Sequence, residues 1–543
     1  MRLSQPPAAL KPRYDVIVIG SGYGGGVAAS RLARAGKRVA VLERGREIPT
    51  GEFPGRFPDL RAQMQVSGAR VRIGPTTGLF DVRFGEHMHV LVGCGVGGGS
   101  LINAGVALRP DPRVFADPVW PRALSTDPRL DEGYARARAW LRPQADPNAR
   151  SHSKLKVLQE ASAALGVAPN PAEIVVSFSD TVSAGGVAQP ACTRCGDCVG
   201  GCNVGAKNTV ALTYLPDAVR HGAEIFAPVR VRSIAKTANG WSVALDADHV
   251  KGETLPAALE ADMIVLAAGT LGSTEILLRS RAQGLALSDR VGTRFSANGD
   301  IIAFGYGAKG PVNAIGVGHP AKTDFMPGAS VSGQIEINDP NELAHSLTIQ
   351  EGAMPSALAP VLPVLFIPNG RLLGAVQSLI SGVYKGPFAG LQTFFAVSHD
   401  SASGKLALAN DRLEIDWPGA QNEPVYARLD KALESLVTRA GGKYVKNPLS
   451  GTMMGHQPAT AHPLGGCGVG EDASCGAINH KGQVFDPTGG SDAVHKGLYV
   501  IDGSVMPRSL GCNPLLTITA LAERALMHMG DDLGFTADAS IAA

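Results

Sequence analysis

The sequence predicts an α/β fold: a Rossmann-like domain into which an antiparallel-sheet domain is inserted. Three observations carry this expectation. A strand, a glycine loop, a helix and a second strand follow one another between Tyr14 and Gly45. Further strand and turn patterns return at Ala261–Ser280 and Leu498–Leu526, so that domain is assembled from distant parts of the chain. Between those two returns, "FFAVSHDSASGKLALANDRLEIDW" alternates as antiparallel strands do, with a turn expected near Ser403 and Gly404. A chain of 543 residues has room for about two to four such units.

The first unit opens with the apolar run Val16 to Ile19, read as a buried strand, and closes with a second at Val39 to Leu42. The helix expected between them runs from Gly26 to Ala35, with Val27, Leu32 and Ala33 for packing. Gly20, Gly22 and Gly25 fit G-x-G-x-x-G: one makes the turn, one lets backbone approach a pyrophosphate, one admits close helix–strand packing. The phosphates would sit at the positive helix end. Glu43 closes the second strand where an acid would bind ribose hydroxyls, which indicates an adenosine dinucleotide without separating FAD from NAD.

A second glycine loop, "VLVGCGVGGGSLINAGVALRP", lacks a following strand that ends in an acid, so a second Rossmann unit is not expected. Its Gly97, Gly98, Gly99, Ser100 and Asn103 resemble the flavin loop of the glucose-methanol-choline (GMC) oxidoreductases. "ADMIVLAAGTLGSTEILLRS" is similar to that family's second signature, although Thr274 stands where Pro or Ser is usual. "AHPLGGCGVG" and "LYVIDGSVMPRSLGCNPLLTITALAERAL" resemble the cholesterol oxidase branch. The resemblance implies FAD, with Gly97, Gly98, Ser100 and Asn103 in the flavin loop. It also brings Asp502 and Gly503 to the ribityl and pyrophosphate, and Asn513 and Pro514 to the isoalloxazine edge, with a helix N-terminus behind them. Some family members tether their flavin to a His. Here Val90 aligns with that position and His87 and His89 fall out of register, so non-covalent FAD is expected. The implied arrangement is an FAD-binding Rossmann-like domain from 14–110, 200–305 and 460–535, a connecting segment 111–199, and a substrate-binding domain 306–459 with an apolar lid 352–398.

Oxidising an alcohol requires loss of its hydroxyl proton and transfer of a hydride to the flavin, so a base must reach the oxygen. His462 precedes "PLGGC", where glycines leave room for a cofactor. Cholesterol oxidases carry an active-site Glu before an apolar, proline-containing stretch, and Glu351 of "LTIQEGAMPSAL" is similar with a one-residue gap. The resemblance thus implies Glu351 as proton acceptor, His462 orienting the substrate oxygen and Asn513 favouring the reduced flavin. Burial would raise the Glu351 pKa and improve it as a base.

From Gly352 to Ser398 the only charged residues are Arg371 and Lys385. Pro355, Pro360, Pro363 and Pro368 would break any membrane-spanning helix there, so the segment reads as a loop or broken helices over the active site. A bulky apolar alcohol such as a sterol, terpene or long-chain alcohol suits such a lid better than a sugar. Docking on a membrane surface to extract it is a further expectation. A helix is expected from about Pro424 to Ala440, with Leu429, Leu433, Leu436 and Val437 on one face.

Cys192, Cys195, Cys198 and Cys202 have the C-x2-C-x2-C-x3-C spacing of a bacterial ferredoxin run, without the second run such proteins have. Two readings stay open: an iron-sulfur cluster, which would pass electrons to a protein or quinone acceptor, or a reduced, structural set, with oxygen or a diffusible acceptor. The balance of 50 basic against 48 acidic side chains, with no basic run, sets nucleic acid aside as a partner. "MRLSQPPAALKPR" lacks the apolar core of a secretion signal, so a cytoplasmic protein is expected. Two rivals remain: an NAD-dependent dehydrogenase, and a flavin-retaining electron-transfer or lipid-carrier protein without turnover.

Overall fold

A computed structural model describes residues 2–68, 71–247, 249, 255–366, 382–446 and 457–541. Of the apolar lid expected at 352–398, residues 367–381, with Pro368 and Arg371, lie outside the described residues.

Arg13–Ile19 lies in the middle of a nine-stranded sheet. Val39–Leu42 and Ala258–Leu266 flank it, both parallel, and Glu224–Phe226 and Ser4–Gln5 extend the parallel edge. Ala258–Leu266 forks. Its first half pairs antiparallel with Gly240–Leu245, and its last residues, from Ile264, pair parallel with Val494–Val500. The near-continuous apolar runs follow from this position, because strands of a parallel sheet are covered on both faces. The first helix, Tyr23–Arg34, starts three residues before the expected Gly26. Its glycines explain why: a Cβ on Gly24 would stand 2.0 Å from Ile501 O, and one on Gly25 2.0 Å from Gly20 O. Residues that look like loop in composition are there so that a helix can lie directly on the strands.

The second sheet is antiparallel, in the order Lys443–Lys446, Ile301–Tyr306, Gln392–Val397, Leu347–Gly352, Gly333–Ile337, Asn170–Pro171. It therefore takes strands from outside 306–459. One face packs on the helices Ser153–Ser162 and Pro424–Arg439 through Leu155, Leu158, Ile349, Leu429, Leu433 and Leu436. The other looks toward the loop 510–513 of the first domain, where Thr348 Oγ1 donates to Gly511 O at 3.1 Å.

Two expectations are corrected here. The end of the segment read as a lid, Gln392–Val397, is an inner strand bonded on both sides, which is why it carries no charge. The hairpin is Lys405–Ala409 with Arg412–Asp416, turning at Asn410 and Asp411 and not near Ser403 and Gly404. Both turn residues have positive φ, 50° and 59°, a conformation that Asn and Asp tolerate.

A third sheet, in the order Ala459–Thr460, His89–Gly93, Phe80–Phe84, Met64–Ser67, Arg72–Ile73, leads into the second glycine loop. Its pairing of Thr460 with Val90 delivers His462 to the same region. Among the described residues no helix is long and apolar enough to cross a membrane.

Candidate active site

The two glycine loops close on each other. Gly98 lies so near Gly22 that a Cβ on it would stand 2.8 Å from Gly22 Cα, and Gly97 N donates to Ser21 Oγ at 3.0 Å. Gly20, at φ +99°, abuts the backbone of Ala267. By contrast, a Cβ on Gly22, Gly99 or Gly269 would meet no atom within 4 Å. The first helix begins at this open cradle with Gly22 as its N-cap, so unsatisfied N–H groups and a positive dipole face it. These residues fit the pyrophosphate of a dinucleotide. Glu43 is buried at the end of the second strand, where Oε2 accepts from Ser21 Oγ at 2.6 Å and Oε1 from Gly45 N at 2.8 Å. A carboxylate has acceptor capacity left beyond those bonds.

Other expected cofactor residues hold the loops in shape. Ser100 Oγ donates to Gly97 O at 2.6 Å and accepts from Val210 N at 3.0 Å. Asn103 Nδ2 donates to Tyr23 OH at 2.7 Å, and Lys207, fully buried, donates to the carbonyls of Leu101, Asn103 and Cys198. Asp502 accepts from Gly269 N and Ser273 Oγ on one oxygen and from Ser504 N and Oγ on the other. Burial pushes its carboxyl up and these donors pull it back. It fixes the approach of Gly269 and Gly503 to the cradle. Pro514 is the N-cap of the helix Leu515–Leu533. Val90 is buried within His89–Gly93.

His462 and Asn513 are brought together. His462 Nε2 lies 3.5 Å from Asn513 Nδ2, and Nδ1 lies 3.1 Å from Asp300 Oδ2, at ion-pair distance though not aligned as a hydrogen bond. Asp300 also accepts from Ala461 N at 2.7 Å, so the carboxylate is tied to the chain that carries the imidazole. Asn513 pairs amide to amide with Gln350: Gln350 Nε2 donates to Asn513 Oδ1, and Asn513 Nδ2 lies 3.4 Å from Gln350 Oε1. Asn298 holds the loop beneath, donating to Cys512 O and accepting from the N–H groups of Leu510 and Gly511. One tautomer suits both neighbours of His462. With the proton on Nδ1, facing Asp300, Nε2 offers its lone pair to the Asn513 side.

Glu351 is not brought to this group. Successive side chains of a strand point to opposite faces, so Gln350 takes the face toward Asn513 and Glu351 the face toward the helices. There Glu351 is fully buried against Lys154, with Oε2 2.6 Å from Nζ, while Oε1 accepts from Ser332 N and Gly333 N at 2.7 and 2.8 Å. Lys154 also donates to Ala329 O and Ser332 Oγ. Burial pushes the Glu351 carboxyl up and the Lys154 ammonium down. Three oxygens that accept from the ammonium, those of Ala329, Ser330 and Ser332, with the Glu351 carboxylate at ion-pair distance and two N–H donors on that carboxylate, nevertheless match the ionised pair.

Cys192, Cys195, Cys198 and Cys202 are free thiols, and among the described residues no three His, Cys, Asp or Glu side chains are gathered as a metal site. Cys192, Cys198 and Cys202 sit against Val106, Ile174, Val176 and Val204, and Cys198 Sγ accepts from Ser330 N at 3.4 Å. Burial pushes the thiols of Cys192 and Cys198 up and that of Cys195 to about 12.

Comparison with known proteins bears on this arrangement. The family model for GMC oxidoreductases matches in two parts, residues 14–297 and 413–522. A cholesterol oxidase of Acinetobacter baumannii is 26% identical over 95% of this chain and 94% of its own. The long-chain-alcohol oxidase FAO4B of Arabidopsis thaliana is 26% identical over 94% of this chain and 66% of its own. In fold, the crystal structure of pyridoxine 4-oxidase from Mesorbium loti is similar with a TM-score of 0.60 at 20% identity, covering 95% of this chain and 99% of that one.

Proposed function

Because the chain belongs to the GMC oxidoreductase family, an FAD-using group, we propose that it oxidises a bulky, largely apolar alcohol of sterol type to the carbonyl, with His462 taking the hydroxyl proton. The observation that carries this reading is the line Asp300, His462, Asn513, Gln350, which ends in an imidazole lone pair beside two amides. The relatives named as cholesterol and long-chain-alcohol oxidases support an apolar alcohol and oxygen as acceptor.

FAD would be held non-covalently by the cradle of Gly20, Gly22 and Gly25, by Glu43, and by the loop of Gly97, Gly98 and Ser100, and it supplies a ring that accepts a hydride. The protein's own part is proton transfer and positioning. His462 Nε2 accepts the alcohol proton as the C–H bond is broken, and Asp300 stabilises the imidazolium that results. Asn513, fixed by Gln350, offers its N–H to the alcohol oxygen and keeps it in line with Nε2. The apolar segment 353–366 is packed in two clusters, Ala357 with Leu101 of the second glycine loop, and Ala359, Leu362 and Phe366 with Ile315 and with Phe304 of the antiparallel sheet.

The test is an anaerobic visible spectrum of the FAD-loaded protein, with iron and sulfide assayed, before and after addition of cholesterol or hexadecanol. Flavin bands that bleach with either alcohol are the expected result. A flavin that neither reduces would overturn the substrate class, and stoichiometric iron and sulfide would replace oxygen with a protein or quinone acceptor.

A further inference from the structure

Among the described residues Lys154 and Lys207 are fully buried, and they differ in what faces them. Lys154 has the Glu351 carboxylate at 2.6 Å. Lys207 Nζ donates to Leu101 O and Asn103 O at 2.9 Å and to Cys198 O at 2.8 Å. Among the described residues the ionisable groups in its field are the thiols of Cys198 and Cys202, and no carboxylate. Three carbonyls at hydrogen-bond distance need three N–H protons, because a neutral amine would turn its lone pair toward one of them; Lys207 is therefore an ammonium. Burial pushes it down from the usual lysine range and pushes the Cys198 thiol up, so Cys198 does not supply the missing negative charge. Nor does the sequence nearby: across Val90 to Leu108 and Cys198 to Pro216, Lys207 is the only charged residue.

Two of the three carbonyls belong to the second glycine loop. Gly98–Leu101 is one short 3-10 turn, Ile102 N and Asn103 N donate back to Gly99 O at 3.2 and 3.1 Å, and Gly99 borders the open cradle. The ammonium satisfies carbonyls at the C-terminal end of this turn, where a cation is favoured. A turn of this kind spans roughly 6 Å, so a group seated at Gly99 lies within about 10 Å of the charge. A buried cation without an anion is costly unless a ligand brings one. FAD brings a pyrophosphate, charged in both oxidation states, and a ring that is neutral when oxidised and negative once it has accepted a hydride. We infer that Lys207 sets the reduction potential of the flavin: its charge, held at the second glycine loop, favours the reduced, anionic ring over the oxidised, neutral one. The inference rests on the alcohol-oxidation reading, in which the hydroxyl proton goes to His462 and the hydride, with its electron pair, to the ring. At an effective dielectric of about 20, a unit charge about 10 Å away shifts such an equilibrium by about tenfold.

The test reads the charge without turnover. The midpoint potential of the FAD-loaded protein is measured by equilibration with a reference dye. Sulfite, which adds to the oxidised ring and leaves it anionic, is titrated against the flavin bands. Lys207→Met should weaken sulfite binding by about tenfold or more and lower the potential by the equivalent of tenfold, about 30 mV for two electrons. Lys207→Arg keeps the charge and should stay within about threefold of wild type in sulfite affinity. A role confined to holding the loop would weaken FAD binding and leave both readouts unmoved, so an unchanged potential and sulfite affinity in Lys207→Met would overturn the inference. Equal losses in Lys207→Met and Lys207→Arg would overturn it as well. Should Lys207→Met not fold, the wild type decides. A reduced ring held anionic takes up one proton per two electrons, so the potential should fall by about 30 mV per pH unit down to about pH 5.5, and a slope of about twice that counts against the inference. Neither readout uses an alcohol: a flavin that no alcohol reduces refutes the substrate reading, while the potential and the sulfite affinity still decide Lys207.

Discussion

Glu351→Gln is the perturbation whose outcome is most specific to this structure. The change keeps the size of the side chain and removes its charge, leaving the Lys154 ammonium fully buried and facing an amide. Breaking one side of a buried ion pair costs about 3–5 kcal/mol, far more than the ~1 kcal/mol of a single neutral hydrogen bond. The loss should appear in urea unfolding of the FAD-loaded protein. In a double-mutant cycle with Lys154→Met, the double variant should be less damaged than the sum of the singles, because it leaves no unpaired charge. Flavin reduction in the fraction that remains folded should change by less than about fivefold, since the carboxylate lies on the opposite face of the strand from Gln350 and Asn513. If Glu351→Gln instead keeps its stability within about 1 kcal/mol while flavin reduction falls by about 100-fold or more, Glu351 is the base and the reasoning from strand alternation fails.

Asp300→Asn removes the group that holds the His462 proton on Nδ1, and stopped-flow flavin reduction should slow by about 10²- to 10⁴-fold with FAD affinity unchanged. Gly22→Val places a side chain where no atom now lies within 4 Å, so equilibrium dialysis should show FAD affinity reduced by about tenfold or more in a chain with unaltered circular dichroism. Gly20→Ala differs, because its Cβ would stand 2.3 Å from Ala267 O at a positive φ, and there the fold itself should lose stability in urea. Burial, with Arg508 near His399 and Arg524 near His480, pushes both imidazoles down to about 4. An unfolded His titrates near ~6.5, so the unfolded chain binds more protons between these values and stability must fall as pH drops from about 6.5 to 4. The urea midpoint should follow that course, and His480→Gln should flatten part of it.

The first glycine loop was legible because its chemistry is local. Turn, close approach and helix start are all set by residues within one strand–helix unit, and the sequence placed Gly20, Gly22, Gly25 and Glu43 in a workable order before any long-range contact was known. His462 and Asn513 were legible as motifs. What joins them was not. Asp300, Gln350 and Asn298 are more than a hundred residues away, and nothing about an isolated Asp or Gln marks it as the partner of a distant His. Glu351 shows the limit most clearly. Leu347, Thr348, Ile349 and Gln350 alternate apolar and polar, which puts Glu351 on the apolar face, but a charged residue there breaks the pattern, and only the strand's neighbours show that Lys154 pairs with it. Lys154 carries no mark of its burial in the sequence, so its pairing with Glu351 became visible only in the fold. The hairpin turn was misplaced because Ser-Gly is a common turn signal, whereas the positive-φ pair that makes the turn is Asn-Asp. For the four cysteines, spacing fixes only their separation along the chain, and the path of the loop through an apolar cluster decides which thiols can meet.

His462 as the proton acceptor is tested most directly by the anaerobic rate of flavin reduction by an alcohol substrate in His462→Gln loaded stoichiometrically with FAD. The rate should fall by about 100-fold or more at unchanged FAD affinity, with only a small change in the affinity for the alcohol. A rate within about threefold of wild type would contradict it and move the proton to another group.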